Sequence, residues 1–187
     1  MADSVRAFLA LEIPEQTKLE LAERREPLRS ELPRARWVRP AGQHLTLKFL
    51  GEAPRTELDP LAAELAPRLS GLGPVTVELS GSGFFPSPRR PRVGWIGGRA
   101  DGVEPVVAAI EEVAEVHGFA RERRSWTLHL TQARLDTPWS ENAVRRFLDW
   151  GEGLALDPFV VDKVVLFSSR LERGGAVYTP LERMPLA

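Results

Sequence analysis

The sequence predicts an α+β protein of two pseudo-symmetric lobes facing one cleft. Three observations carry that prediction. Strand-like and helix-like segments alternate irregularly and include hairpins, unlike the regular rhythm of a doubly wound parallel sheet. The 187 residues are 43% apolar and 27% charged, enough for one sizeable core, and no low-complexity linker divides them. The tripeptide His-Leu-Thr occurs once in each half, at His44-Leu45-Thr46 and at His129-Leu130-Thr131. Residues 1–187 therefore read as a single domain with one copy of the motif per lobe.

The elements follow in order. Residues 5–13 form a nearly unbroken apolar run, a buried strand. Pro14 ends it and opens a helix to about Leu28, with Leu19, Ala22 and Arg29 on a weak stripe and Pro27 as its stop or kink. Residues 33–42 are a basic, Pro-bearing loop, and residues 44–50 a second strand closed by Gly51. Asp59-Pro60 has the form of an N-cap followed by a first-turn proline, and Leu61, Leu65 and Leu69 share the face of the helix it starts. Residues 75–79 alternate as a strand, Gly81-Ser82-Gly83 interrupts, and residues 92–96 are another strand. Residues 84–91 are then a Pro-rich connection. Asp101 caps a helix that turns Val103, Val107, Ile110 and Val113 inward and ends at Gly118. A strand over 127–135, a helix over 140–150, and a hairpin of 160–167 with 176–180 around Arg173-Gly174-Gly175 complete the chain.

Composition removes several classes of function. With no cysteine there is no disulfide, no thiolate nucleophile and no Cys-based zinc or iron–sulfur site. A formal net charge of −1 gives no global pull toward nucleic acid or membrane. No apolar run approaches the roughly 20 residues needed to cross a bilayer. The N-terminus lacks the basic-then-apolar order of a secretion signal. A cytoplasmic monomer with no membrane partner is expected. Basic residues are almost all arginine, clustered at Arg34, Arg36 and Arg39, at Arg89, Arg90 and Arg92, and at Arg121, Arg123 and Arg124. The planar guanidinium fork suits phosphate, and it suits surface ion pairs as well.

The repeated tripeptide is where chemistry concentrates. Two of only three histidines begin it, and both copies lie in strand-like runs. On a strand, His and Thr at i and i+2 point to one side while the leucine between them points into the core. Each lobe thus offers an imidazole beside a hydroxyl on a stiff element. Face to face, they give two proton carriers that work near neutral pH and two donors for non-bridging oxygens, a set suited to in-line displacement at phosphorus. Two histidines alone underfill a metal shell, so neither metal nor other cofactor is expected. His117 sits at a helix end before Gly118, where a cation complements the helix dipole, and its role is structural.

These residues carry a resemblance. The chain resembles the 2H phosphoesterases, specifically the RNA 2′,3′-cyclic phosphodiesterase group also called 2′-5′ RNA ligases. The likeness runs nearly end to end: R-A-F-L-A-L-E-I-P at 6–14, H-L-T-L-K-F-L-G-E at 44–52, G-F-F-P at 83–86, R-V-G-W-I-G at 92–97, H-L-T-Q-A-R at 129–134 and V-V-L-F-S-S-R-L at 164–171, then Gly175 and Tyr178. Two departures stand out: Trp126-Thr127-Leu128 precedes His129 where the family usually has proline directly before it, and Gln132 replaces an apolar residue.

The resemblance implies antiparallel sheets lining a central cleft with helices outside. It implies a metal-free hydrolase that opens an RNA 2′,3′-cyclic phosphate to a 2′-phosphate, with 2′-5′ ligation as the reverse. His44 is then the general acid and His129 the general base. Thr46, Thr131 and Arg134 hold the phosphate, and Phe84 or its neighbour Phe85 stacks a base. On a regular strand Arg134 would point away from His129 unless a bulge intervenes, so its role comes from the resemblance. Two other readings remain open: a cyclic phosphodiesterase of small nucleotides or 2′-5′ oligonucleotides, and a module that grips RNA ends without turnover.

Overall fold

The computed structural model describes residues 4–172 and 175–187. The central strand β1 (Ser4–Glu12) is buried on both faces, as its apolar run requires. It pairs antiparallel with β3 (His44–Pro54) on one side and with β8 (Lys163–Glu172) on the other, and β9 (Gly175–Pro185) extends the sheet beyond β8. The second sheet has the order β2 (Arg36–Trp37), β6 (Leu130–Arg134), β5 (Arg90–Asp101), β4 (Val75–Ser87) and β7 (Phe159–Val161), again all antiparallel. The α+β, two-lobed fold is therefore the one the chain adopts, and each sheet carries one His-Leu-Thr copy. The lobes are not the two halves of the sequence, because C-terminal β8 and β9 join the sheet that holds the first motif.

The main core lies beneath both sheets. Leu9 and Leu11, Leu45 and Leu47, Val75 and Val77, and Leu130 meet the inner faces of α2 (Arg55–Leu69) and α3 (Val103–Val116) there. A second cluster, with Leu28, Phe84, Trp139 and Phe147, lies under α1 (Glu15–Glu31) and α4 (Glu141–Glu152). Ser140 caps α4 by accepting from the Ala143 N–H, as its residue type favours. On the opposite face of β1, Phe8 and Ala10 join Val165 and Phe167, with Tyr178 against them.

Several local expectations are corrected. Helix α1 passes through Pro27 and ends at Glu31, because Pro27 sits on its exposed face, where a carbonyl left without its amide partner is open to water. Its buried stripe is Lys18, Leu21, Arg25 and Leu28, while Leu19 is exposed. Helix α2 begins at Arg55, so Pro60 lies inside it on the solvent side rather than in its first turn. Asp101 ends β5, and Gly102 is the N-cap of α3.

The basic loop contains the two-residue strand β2 and a 3₁₀ turn at Pro40–Gly42. Gly51 does not close β3; at φ +79° it sits beside a register shift and the strand continues to Pro54. Ser80 and Gly81 likewise form a bulge in one long β4, and Ser82 and Gly83 stay paired with Ile96 and Trp95. Gly83 has no room for a side chain because the Trp95 ring lies where its Cβ would be. Phe84 and Phe85 are thus strand residues, and only Pro88-Arg89 turns the hairpin. Strands β8 and β9 pair up to Glu172 and Gly175, whereas Arg173-Gly174 lies outside the described residues.

Candidate active site

His44 opens β3 and His129 immediately precedes β6, so the second imidazole stands just before the strand rather than inside it. Each ring nitrogen Nδ1 lies against the carbonyl two residues earlier: Gly42 at 3.0 Å for His44 and Thr127 at 2.9 Å for His129. A carbonyl only accepts, so each Nδ1 carries the hydrogen and each Nε2 is left free to exchange a proton. Both histidines, Thr46, Thr131 and Arg134 line one cleft of about 620 Å³, a volume suited to a nucleotide-sized ligand.

Two cross-links join the motif segments under the cleft. The Trp126 indole donates to the Thr46 carbonyl at 2.8 Å, and the Gln43 amide donates to Gln132 Oε1 at 3.4 Å. Residues flanking the two histidines therefore hold the opposite motif. The sequence held no signal for either link beyond the unusual Trp and Gln.

Arg134 reaches the cleft through a bulge. Trp95 pairs with Thr131 and the adjacent Gly94 with Ala133, which leaves Gln132 as the extra residue of β6. That insertion shifts the phase by one, so Arg134 shares the cleft with His129 and Thr131 while Gln132 and Ala133 are buried behind. The first motif does the same: Leu9 pairs with Lys48 and Ala10 with Thr46, Leu47 is extra, and Phe49 turns into the cleft.

The stacking candidate Phe84 is corrected. It is 3% exposed and packs on Phe147 and Trp139 in the second core, because the bulge at Ser80–Gly81 sets β4's alternation to put Phe84 inward. Phe85, 44% exposed and edge-on to His129, faces the cleft instead. Phe49, 57% exposed, lies at the same cleft and was not singled out in the sequence.

Aromatic rings enclose the His44 imidazole. Phe8 packs at 4.6 Å from the His44 ring centroid and Tyr178 edge-on at 4.8 Å. Burial pushes the His44 pKa down to about 4, partly opposed by its bond to Gly42, while Lys18, Arg134 and His129 add positive charge nearby. His117 lies apart, bonded to Glu64 at 3.0 Å. Of the arginine clusters, Arg36 pairs with Asp136 at 2.9 Å and Arg121 with Glu115 at 2.7 Å.

Two imidazoles, each with a threonine two residues on, line one cleft of a two-lobed, antiparallel fold, the set expected of a phosphoesterase. The description "LigT like phosphoesterase" belongs to the family model that matches residues 11–95. The RNA 2′,3′-cyclic phosphodiesterase of Thermus thermophilus is 33% identical over 192 residues, which cover 97% of this chain and 90% of the relative. That of Aeropyrum pernix is 31% identical over 148 residues, 77% of this chain and 82% of the relative. A crystal structure of a Thermus thermophilus protein matches with a TM-score of 0.76 and 28% identity over 97% of both chains. Escherichia coli LigT complexed with 3′-AMP shares the fold, with a TM-score of 0.72 over 99% of both chains at 24% identity. This chain belongs to the LigT-like phosphoesterase family of the 2H superfamily, and it is a hydrolase.

Proposed function

We propose that this enzyme opens the 2′,3′-cyclic phosphate at an RNA end to a 2′-phosphate, without a metal, as a single unit of two lobes. The observation that carries the reading is that both histidines line one cleft, each with its Nδ1 tied to the carbonyl two residues back, which leaves Nε2 for proton exchange. Water attacks phosphorus as one imidazole takes its proton, the bond from phosphorus to the 3′ oxygen breaks, and the other imidazole protonates that oxygen. Thr46 and Thr131 donate to the non-bridging oxygens and Arg134 offsets their charge. Phe49 and Phe85 give apolar faces for the terminal base. With a 5′-hydroxyl in place of water as the attacking group, the same forward step breaks the bond to the 3′ oxygen and joins RNA through a 2′-5′ bond.

The family likeness assigns the acid to His44. Its burial among Phe8, Phe167 and Tyr178 favours the exchanged assignment, since a ring with a pKa of about 4 is neutral at pH 7 and ready to act as base. RNA ending in a 2′,3′-cyclic phosphate, treated with enzyme and EDTA, tests the function. The expected result is full conversion to a 2′-phosphate. Loss of activity with EDTA and its return with a divalent ion would overturn the metal-free reading. Binding of the RNA end without turnover would leave a binding module.

A further inference from the structure

Behind the cleft floor lies a buried polar knot that the acid–base chemistry does not use. Gln132, the bulged residue of β6, is wholly inaccessible, and Arg25 on α1 is 5% exposed. Arg25 Nη1 donates to Gln132 Oε1 at 2.9 Å, and its Nη2 donates to the Val38 carbonyl at 2.9 Å. The Gln132 amide nitrogen donates back to the Leu130 carbonyl at 3.3 Å, and the Gln132 carbonyl accepts from the Val38 N–H at 2.8 Å. The guanidinium lies 5.4 Å over the Trp37 ring. Both arms of the Arg25 fork are therefore spent on the bulge and the segment beside it. Among the described residues no carboxylate pairs with it.

A bulge leaves an extra residue whose polar groups need partners, and an unsupported one can slip back into regular register. Slippage here has a defined consequence: one residue of phase turns Arg134 out of the cleft and Ala133 into it. A buried arginine is a costly support, so what it holds matters. We propose that Arg25, acting through Gln132, is a positioning residue that fixes the β6 bulge and thereby keeps the Arg134 guanidinium on the phosphate side of the cleft. Arg25 touches no substrate. Its effect passes through Gln132 to the backbone between Thr131 and Arg134.

The proposal rests on the phosphoesterase reading of the cleft, so its test carries a readout independent of turnover. Binding of adenosine 2′-monophosphate is measured by calorimetry for wild type, Arg25→Met, Arg134→Ala and the double variant, alongside kcat and KM on RNA with a cyclic phosphate end. Arg25→Met should weaken nucleotide binding about tenfold and raise KM more than it lowers kcat. In the Arg134→Ala background the same change should add less than twofold, because the group it positions is gone. Arg25→Lys, which can replace only one arm of the fork, should recover part of the loss. Unchanged binding in Arg25→Met, or losses that multiply with Arg134→Ala, would show a merely structural arginine and overturn the proposal. If Arg25→Met fails to fold, Gln132→Leu takes its place with the same expectations. A wild type that binds the nucleotide but never turns over RNA would defeat the functional reading and leave the binding cycle decisive for this one.

Discussion

The two motif segments use the same backbone device for different ends. In each, Nδ1 of the histidine is tied to the carbonyl two residues back, and an extra residue follows the threonine, Leu47 in β3 and Gln132 in β6. In each, the residue five positions after the histidine is turned into the cleft. That residue is Phe49 in the first segment and Arg134 in the second. The bulged residue differs to match: Leu47 packs in the main core, whereas Gln132 is held by Arg25. One backbone geometry thus presents an apolar ring from one wall and a cation from the other. A nucleotide end, with a base on one side and a phosphate on the other, is asymmetric in the same sense.

The largest expected effect tests what the segments share. Removing either proposed proton carrier, by His44→Ala or His129→Ala, should lower kcat/KM on RNA with a cyclic phosphate end by at least about 10²-fold in a folded protein. The double variant should cost far less than the product, because in the proposed mechanism the two rings serve one displacement. Fully multiplicative losses would mean that the two walls act separately.

The next effect tests where the segments differ. Arg134→Ala should weaken binding of both inorganic phosphate and adenosine 2′-monophosphate, by about 10–100-fold, the range for a hydrogen bond to a charged group. Phe49→Ala should leave phosphate binding unchanged and weaken only the nucleotide, by about tenfold, as loss of a stacking face does. Equal responses to the two ligands from both variants would erase the division of labour.

The shared part of this comparison was legible in the sequence, and the differing part was not. Alternation on a strand is enough to put His44 and Thr46, or His129 and Thr131, on one side, and Ser140 announces α4 by its chemistry. A bulge has no comparable signature when its extra residue is Leu or Gln. Hence the phase of Arg134, the inward turn of Phe84 and the cleft position of Phe49 needed the structure. Glycine misled for the same reason: Gly51 and Gly83 read as strand ends, yet they serve a register shift and the close approach of Trp95. Pro27 and Pro60 read as helix boundaries because a sequence does not show which face meets water. Strand β2 is only two residues long, between prolines, and exists because β6 offers it an edge.

The burial of His44 gives a pH test that sharpens the contrast between the rings. Its pKa falls from 6.5 to about 4 on folding, chiefly through desolvation. Between those values the unfolded chain binds the proton that the folded chain refuses, so stability falls as pH drops through that window and the loss is complete below about 4. An NMR titration of the free protein should place the His44 midpoint near 4, and adenosine 2′-monophosphate should raise it by bringing a counter-charge. His44→Gln should flatten this part of the stability curve. A free-protein midpoint above 6 would remove the electrostatic argument for His44 as base.

The smallest effect is expected from the histidine outside both segments. His117 ends α3 with its Nε2 3.0 Å from Glu64 Oε2, in a pair that is partly open to solvent. It has neither the threonine two residues on nor a place in the cleft, so histidine content alone gives it no part in the displacement. Exposed ion pairs of this kind contribute roughly 0–1 kcal/mol. His117→Ala should therefore leave kcat/KM within about twofold and lower the melting temperature slightly. A loss of turnover approaching that of His44→Ala, in protein that remains folded, would mean that the chemistry does not follow the repeated tripeptide. The equivalence of the two segments would then be a backbone likeness without a shared catalytic purpose.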